Sequence, residues 1–442
     1  KYIWEDSSPT RETDNTFYFD GRINYRRVFG NHTVSGMLMY MMREYFNAVL
    51  PYRNQGFSGR FTYDYFNKYL VEFNFGYNGT ERLAKGERFE FFPAVSLGWV
   101  ASNEPFWEPI SNVVDYLKLR TSYGLVGSDE SGSGAGRFLY LQDVDMNGYN
   151  FTTGYEKFST YNGPKIKSMR VENAHWERSK KFNVGIDATL LNQVNLTLEY
   201  FHEKRDRILV KRGTFPWMAG YGESITPWSN MGKTTNEGFE ASVNWNKQLT
   251  RDLAVDFRGS FTYNRTILNE KDEPNYPYVW RTAKNKPLQS TMGYVSLGLF
   301  ESDEEVANSP DQSYFGGRVQ AGDIKYQDVN GDGVINDNDQ VMISPYGSIP
   351  RMQFGLGMNI VYKKWDIGVF FNGTAQRTIL MTSGGDVPVD IFPFTTPQSQ
   401  TFSQLLQFVA DDHWSLENPN PAAKFPRLGI VYGDYKLSLI HI

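Results

Sequence analysis

"YLVEFNFGYN", residues 69–78, places Tyr69, Val71, Phe73, Phe75 and Tyr77 at alternate positions, with Glu72, Asn74, Gly76 and Asn78 between them. Successive residues of a β-strand point to opposite faces, so this segment has one apolar side and one polar side. The pattern recurs along the chain. In "LAVDFRGSFTYN" (253–264) Leu253, Val255, Phe257, Phe261 and Tyr263 oppose Asp256, Arg258, Ser260, Thr262 and Asn264. In "FNVGIDATLL" (182–191) Phe182, Val184, Ile186, Ala188 and Leu190 oppose Asn183, Gly185, Asp187 and Thr189. "FEASVNWN" (239–246) repeats it with Phe239, Ala241, Val243 and Trp245.

About thirteen such segments occur, most near ten residues long. They lie near 17–29, 33–46, 57–66, 69–79, 90–101, 116–126, 181–191, 194–207, 235–247, 252–265, 292–300, 352–362 and 365–375. Short connections include Gly30–Asn31, Asn67–Lys68, Asn192–Gln193 and Lys363–Lys364. Long ones cover roughly 127–180, 208–234, 268–291, 301–351 and 376–427. Tight turns on one side and long loops on the other describe an up-and-down meander.

Alternation by itself also fits a soluble β-sandwich with one wet face. Three features favour a membrane barrel. The segments are long for a soluble domain. The loops are asymmetric. Aromatics crowd the strand ends, as in Tyr18, Phe29, Tyr63, Tyr65, Trp99, Tyr200 and Trp365, which suits an interfacial girdle. The expected fold is therefore all-β, a transmembrane antiparallel up-and-down β-barrel with long extracellular loops.

Composition agrees with this and removes other classes. The chain has 442 residues and a formal net charge of −5, so no basic field invites nucleic acid. Aromatics make up 16% of residues, which favours strands and interfaces. Cysteine is absent, which excludes a disulfide scaffold, a thiolate zinc site and a cysteine nucleophile. No run of about twenty apolar residues exists, so a membrane-spanning helix is excluded. A mean hydropathy of −0.50 does not exclude a barrel, whose strands need apolar residues only at alternate positions.

Catalytic constellations are missing. His32, His175, His202, His413 and His441 are scattered, with no HExxH. There is no P-loop and no G-x-S-x-G. "GSGAG" at 132–136 reads as a flexible loop, and Asp303, Glu304 and Glu305 as a solvated acidic surface. No enzyme is expected. Sequons at Asn78, Asn195 and Asn264 fall within strands and read as chance.

"DVNGDGVINDND" (328–339) fits D-x-[DN]-x-[DN]-G. Asp328, Asn330 and Asp332 take positions 1, 3 and 5 of an EF-hand-like calcium loop. Gly333 gives the turn, Val334 a backbone carbonyl at 7, Asn336 position 9 and Asp339 position 12. Asp at 12 in place of Glu shortens the bidentate reach. A structural calcium ion pinning a long loop is the expectation; a solvated turn rich in Asp, Asn and Gly is the plainer alternative. In "FPWMAGYGESITPWSN" (215–230), Trp217, Tyr221 and Trp228 are candidates to stack on sugar rings, against the alternative that they pack the loops together.

Five stretches, in order, resemble the SusC/RagA-type TonB-dependent outer-membrane transporters. They are "FFPAVSLGWVASNEPFW" (91–107), "DYLKLRTSYGLVGSD" (115–129), "WERSKKFNVGIDATLLNQVNLTLEYFHEKRDRIL" (176–209), "AGDIKYQDVNGDGVINDNDQ" (321–340) and "DHWSLENPNPAAKFPRL" (412–428). The resemblance implies that 1–442 is a partial receptor barrel domain, about thirteen of roughly 22 strands. The signal sequence, TonB box, plug domain and terminal strands of the family would then lie outside it. Residues 301–351 would be an extracellular loop carrying the calcium motif. The closing residues 436–442 look foreign to the family and read as translated vector or adapter sequence. The resemblance further implies active import of oligosaccharides, or of peptides, through the outer membrane. The implied partners are outer-membrane lipid, a SusD-like surface lipoprotein and TonB, the last acting through the missing N-terminal part. A passive porin and a soluble carbohydrate-binding β protein are the competing readings.

Overall fold

A computed structural model describes residues 15–46, 51–130, 140–157, 159–171, 173–214, 226–315, 318–378 and 407–427, with Phe138 and Met218. The strands are β1 (Asn15–Phe29), β2 (His32–Phe46), β3 (Tyr52–Tyr65), β4 (Tyr69–Thr80), β5 (Phe89–Val100), β6 (Val114–Ser128), β7 (Asp143–Thr153), β8 (Ser159–Ser168), β9 (Glu177–Leu190) and β10 (Val194–Lys211). They continue with β11 (Trp228–Thr250), β12 (Leu253–Glu270), β13 (Lys286–Pro287), β14 (Thr291–Gly293), β15 (Ser296–Leu299), β16 (Ile324–Tyr326), β17 (Val341–Ser344), β18 (Met352–Tyr362) and β19 (Trp365–Ala375).

One large sheet runs β1 to β6, then β9 to β12, then β18 and β19, with β13 added against β12 as a thirteenth member. The pairs from β1 through β11 are antiparallel. Register turns the alternation of single strands into rows that cross the sheet. Phe61 pairs with Phe73, Phe73 with Val95, Val95 with Tyr123 and Tyr123 with Phe182. One residue along, Arg60, Asn74, Ala94, Gly124 and Lys181 form the next row on the other face. The apolar rows are uncovered: Phe61 is 44% exposed and Phe91 49%. An uncovered apolar face of this extent asks for lipid rather than water.

The apolar band has visible limits. On β9 it runs from Leu190 to Phe182 at alternate positions, eight residue steps or about 26 Å along the strand. Beyond Phe182 the same face carries Lys180 and Arg178, both paired with Asp206. At the other limit His32, Tyr65, Tyr69 and Trp99 form one row across β2 to β5. Their rings touch, His32 to Tyr65 at 4.9 Å and Tyr65 to Tyr69 at 6.4 Å between centroids. This is an aromatic girdle of the kind found where strands leave the hydrocarbon.

Sequence and structure differ in places. Twelve expected segments are strands of the large sheet, but 292–300 is not. It divides into β14 and β15, which pair with β17 and β16 in separate two-stranded sheets. Tyr294 and Phe300 are 3% and 1% exposed, and Gly298 at φ +109° interrupts the extension. Their alternation serves a small core, not a lipid face. The connection 127–180 also contains a hairpin, β7 with β8. Strand β11 begins at Trp228, earlier than its alternation suggests. The extra residues pair with β10 across bulges between Arg205 and Leu209.

The chain divides into two compact units. The first holds most of the large sheet, and a cluster of Leu83, Phe92, Val171, Ala174, Trp176 and Leu209 is buried among its longer connections. The second comprises Arg265–Leu268, Asn275–Phe354 and the chain from Asn372. Its core is Tyr294, Phe315, Ile324, Tyr326 and Ile335. Buried Gln312 ties it together, donating to the Ile324 carbonyl at 3.0 Å and accepting from the Tyr326 N–H at 2.8 Å. The Arg427 guanidinium grips both oxygens of Asp323, at 2.7 and 3.2 Å.

Candidate functional site

The polar face of the large sheet gathers the hydrogen-bonding chemistry. Arg26, Ser35, Thr62, Glu72, Ser96, Ser122 and Asn183 are successive partners from β1 to β9, seven polar side chains in one row. Such a row arises because each strand carries a polar residue at the register position facing away from the apolar band. A hollow of about 540 Å³ on this face is walled by Arg26, Ser35, Thr62, Glu72, Arg120 and Asn183, among others.

The charges there are organised across strands. Arg120 of β6 donates to Asp187 of β9 at 3.2 Å and to Glu199 of β10. Asn183 also donates to Glu199. Glu72 of β4 receives Arg60 of β3 and, at 2.7 Å, the Asn74 amide. These groups remain part-exposed, so they offer charge-assisted donors and acceptors to a passing hydroxyl or amide. The sequence marks Glu72, Asn74, Asn183 and Asp187 as polar-face residues but does not bring them together with Arg60, Arg120 or Glu199. A signal was present, since Arg120, Asp187 and Glu199 each sit on the non-apolar alternation of their strand. Their meeting depends on register between strands, which the chain pattern does not state.

The loop 328–339 is closed by its own side chains. The Asp328 carboxylate accepts the N–H groups of Gly331 and Gly333, both at 2.7 Å. Asp332 accepts Val334 N–H at 2.9 Å and the Asn330 amide at 2.8 Å. Asp339 is fully buried and accepts from Val329 at 2.9 Å, Asn330 at 3.4 Å and Asn336 at 2.8 Å. Asn336 caps the short 3₁₀ turn Asp337–Asp339, accepting Asn338 N–H at 2.8 Å. Gly331 and Gly333 take φ of +75° and +83°, which an L side chain adopts only under strain. Val334 forms a parallel bridge to Asp311, and Ile335 fills the core beside it with no exposed surface. Among the described residues no group of three or more His, Cys, Asp or Glu side chains is arranged around a common point for a metal ion.

Of the aromatic candidates, Trp217 and Tyr221 lie outside the described residues. Trp228 opens β11, pairs with Lys211 and packs half-buried against the Phe92 and Trp176 cluster. The segment 436–442 also lies outside the described residues.

The family described as "TonB dependent receptor-like, beta-barrel" matches residues 5–388. The TonB-dependent receptor SusC of Bacteroides thetaiotaomicron is 26% identical over 348 residues, covering 74% of this chain and 32% of SusC. The TonB-dependent receptor P26 of Formosa agariphila is 24% identical over 389 residues, covering 84% of this chain and 36% of P26. Among solved structures, the RagAB peptide importer in its open-open state superposes with a TM-score of 0.68 at 17% identity, over 97% of this chain and 46% of that one. The chain therefore spans about a third of the length of these curated relatives.

Proposed function

This chain belongs to the TonB-dependent receptor-like β-barrel family of the outer membrane, and on that premise we propose that the intact protein imports oligosaccharides, or peptides, into the periplasm. TonB energises the transport, and a SusD-like surface lipoprotein captures the ligand. The observation that carries this reading is the polar row from Arg26 to Asn183 set back to back with the apolar row from Phe61 to Phe182. It separates a hydrogen-bonding inner wall from a lipid-facing outer one. The relative named a TonB-dependent receptor supports TonB-driven transport, and the neighbour titled a peptide importer supports a peptide as cargo. The chain's residues then act by binding and orientation, and no covalent step is needed.

The test is uptake of labelled oligosaccharides and peptides by cells carrying the intact gene. Uptake that collapses when the proton gradient is dissipated, or when TonB is removed, supports the proposal. Uptake that persists in both cases identifies a passive porin instead. Within this reading Trp217 and Tyr221 are proposed to stack on the cargo, so Trp217→Ala should weaken capture of a glycan. Trp228→Ala should act through stability, because that ring is packed.

We also propose that the loop 328–339 holds a structural calcium ion. Its support is the donor chemistry: Asp328, Asn330, Asp332, Asn336 and the Val334 carbonyl supply hard oxygens, which suit calcium. Asp339 fits less simply, since three backbone N–H groups already occupy its carboxylate. Calorimetry on the intact protein, before and after chelation and with Asp328→Ala plus Asp332→Ala, tests this. Calcium binding unchanged by the double substitution rules the site out.

A further inference from the structure

The turns at the short-connection end carry large apolar side chains where turn chemistry disfavours them. Tyr65–Lys68 is a tight turn with Phe66 at φ +55° and Asn67 at φ +53°, closed by Lys68 N–H to the Tyr65 carbonyl at 2.9 Å. Leu190–Gln193 repeats it, with Leu191 and Asn192 both at φ +53° and a closing bond of 3.0 Å. Such turns demand positive φ at both central positions, which glycine and asparagine accept and bulky residues resist. Neither side chain is buried in exchange. Phe66 is 54% exposed and Leu191 53%.

The β5–β6 connection adds to this edge. Its 3₁₀ segment Pro105–Ile110 leaves Phe106 61% exposed. The Phe106 ring stands 6.4 Å from that of Trp99, the last member of the girdle row. Just before it, the Glu104 carboxylate collects the polar ends of the girdle. It accepts from Lys68 Nζ at 3.1 Å, from Trp99 Nε1 at 3.4 Å and from the Tyr69 hydroxyl. Lys68 in turn lies 5.7 Å from the centre of the Phe66 ring. The side chains of Lys68 and Glu104 are only 16% and 12% exposed. Two aromatic side chains thus surround a neutralised ion pair and remain open on their outer sides.

We propose that Phe66, Phe106 and Leu191 anchor the turn edge in the phospholipid leaflet bordering the short turns. The occupant is lipid rather than protein because the patch continues an interface already present. Phe106 adjoins Trp99, and Trp99 shares its row with Tyr69, Tyr65 and His32 on the lipid-facing side of the sheet. Pairing Lys68 with Glu104 neutralises the two charges that lie between the aromatic side chains. The strained turns fit the same account, since Asn would relieve Phe66 and Leu191 but offer nothing to acyl chains. The proposal rests on reading the strands as membrane-spanning.

Nitroxide labels test it, and the chain's lack of cysteine makes single-site labelling direct. In the intact protein, freed of any cysteine elsewhere and reconstituted in phosphatidylethanolamine–phosphatidylglycerol vesicles, labels go at Phe66→Cys, Phe106→Cys and Leu191→Cys. Phe73→Cys serves as the lipid reference and Lys85→Cys as the water reference. Power saturation compares contact with oxygen, which concentrates in lipid, and with a nickel chelate, which stays in water. The anchor predicts an oxygen-to-nickel ratio at all three sites about threefold above that at Lys85 and below that at Phe73, as suits the headgroup boundary. Ratios equal to that at Lys85 overturn it. Shielding from both reagents overturns it too, since it shows a protein covering the edge. A water-like Phe73 defeats the membrane reading itself, and is distinguishable for that reason. As a second arm, Phe66→Asn with Leu191→Asn keeps residues suited to the turns. That variant should assemble and lower the ratio at a Phe106→Cys label; an unchanged ratio counts against the anchor.

Discussion

Phe73 and Asn74 are neighbours in the chain and meet opposite surroundings. Phe73 belongs to the row from Phe61 to Phe182, and Asn74 donates to Glu72 on the polar face. Phe73→Arg should therefore cost about 2–4 kcal/mol near the bilayer midplane, and Asn74→Arg much less. Val243 and Asn244 form a second such pair on β11. Equal losses on both faces, measured as unfolding free energies of the intact protein in vesicles, would contradict the assignment. In the loop unit, pH acts on two carboxylates. A hydrogen bond from Lys325, at 2.7 Å, and one from the Glu301 N–H hold Glu305 below its ordinary pKa. The Ser313 N–H and hydroxyl do the same for Asp311. A carboxylate depressed on folding stabilises the fold above its unfolded pKa, and that contribution is lost as pH falls through the folded value. Protection factors over 301–315 and 318–326, corrected for the intrinsic pH dependence of amide exchange, should thus stay constant near neutrality and fall only below about pH 4. Loss of protection at higher pH would show that other groups control the loop.

Among the elements, those governed by local pattern were legible and those governed by remote partners were not. Strands β4, β9 and β12 could be read directly, because alternation over ten residues leaves one outcome for a half-apolar strand. The segment 292–300 has similar composition, but its partners, Phe315, Ile324 and Tyr326, come from later in the chain. Trp228 reads as a loop residue after Pro227, and only pairing with Lys211 makes it part of a strand. At 328–339 the spacing was legible while the use of its oxygens was not. Backbone N–H groups and a cation call for the same residues at the same intervals. The loop unit has its own weak point. Gly322 sits at φ +85° with the Trp414 ring against it, so a Cβ there would overlap the indole. Gly322→Ala should displace Trp414 and loosen the neighbouring grip of Arg427 on Asp323, costing about 1–3 kcal/mol. Limited proteolysis should then cut within 301–351 faster than in the parent, with the large sheet still protected; an unchanged cleavage rate would show that the ring has room to move.

On the scale of the whole molecule, among the described residues the large sheet ends at β1 and β19, which appear in its order with a single neighbour each. Lipid offers no hydrogen bonds to an unpaired strand edge. This chain expressed by itself should therefore aggregate in detergent, and a heat-resistant monomer on a gel would refute that. The family, the sheet and the location in the outer membrane followed from alternation and ordered motifs. The wall chemistry of Arg120, Asp187 and Glu199 required three strands in register. The strand order also bears on how the sheet comes together in time. Most neighbours in the sheet are consecutive in the chain and can zip as hairpins, several of them across a turn of two or three residues. The junction of β6 with β9 must instead wait for residues 129–176, and that of β12 with β18 for residues 271–351. Against a two-residue turn, closing a floppy tether of that length costs about 3 kcal/mol more entropy. Condensation of the 271–351 segment around Tyr294, Tyr326 and Ile335 before β18 pairs would shorten that tether. Substitutions that loosen the segment, such as Gly322→Ala, should then slow insertion of the sheet more than they weaken it.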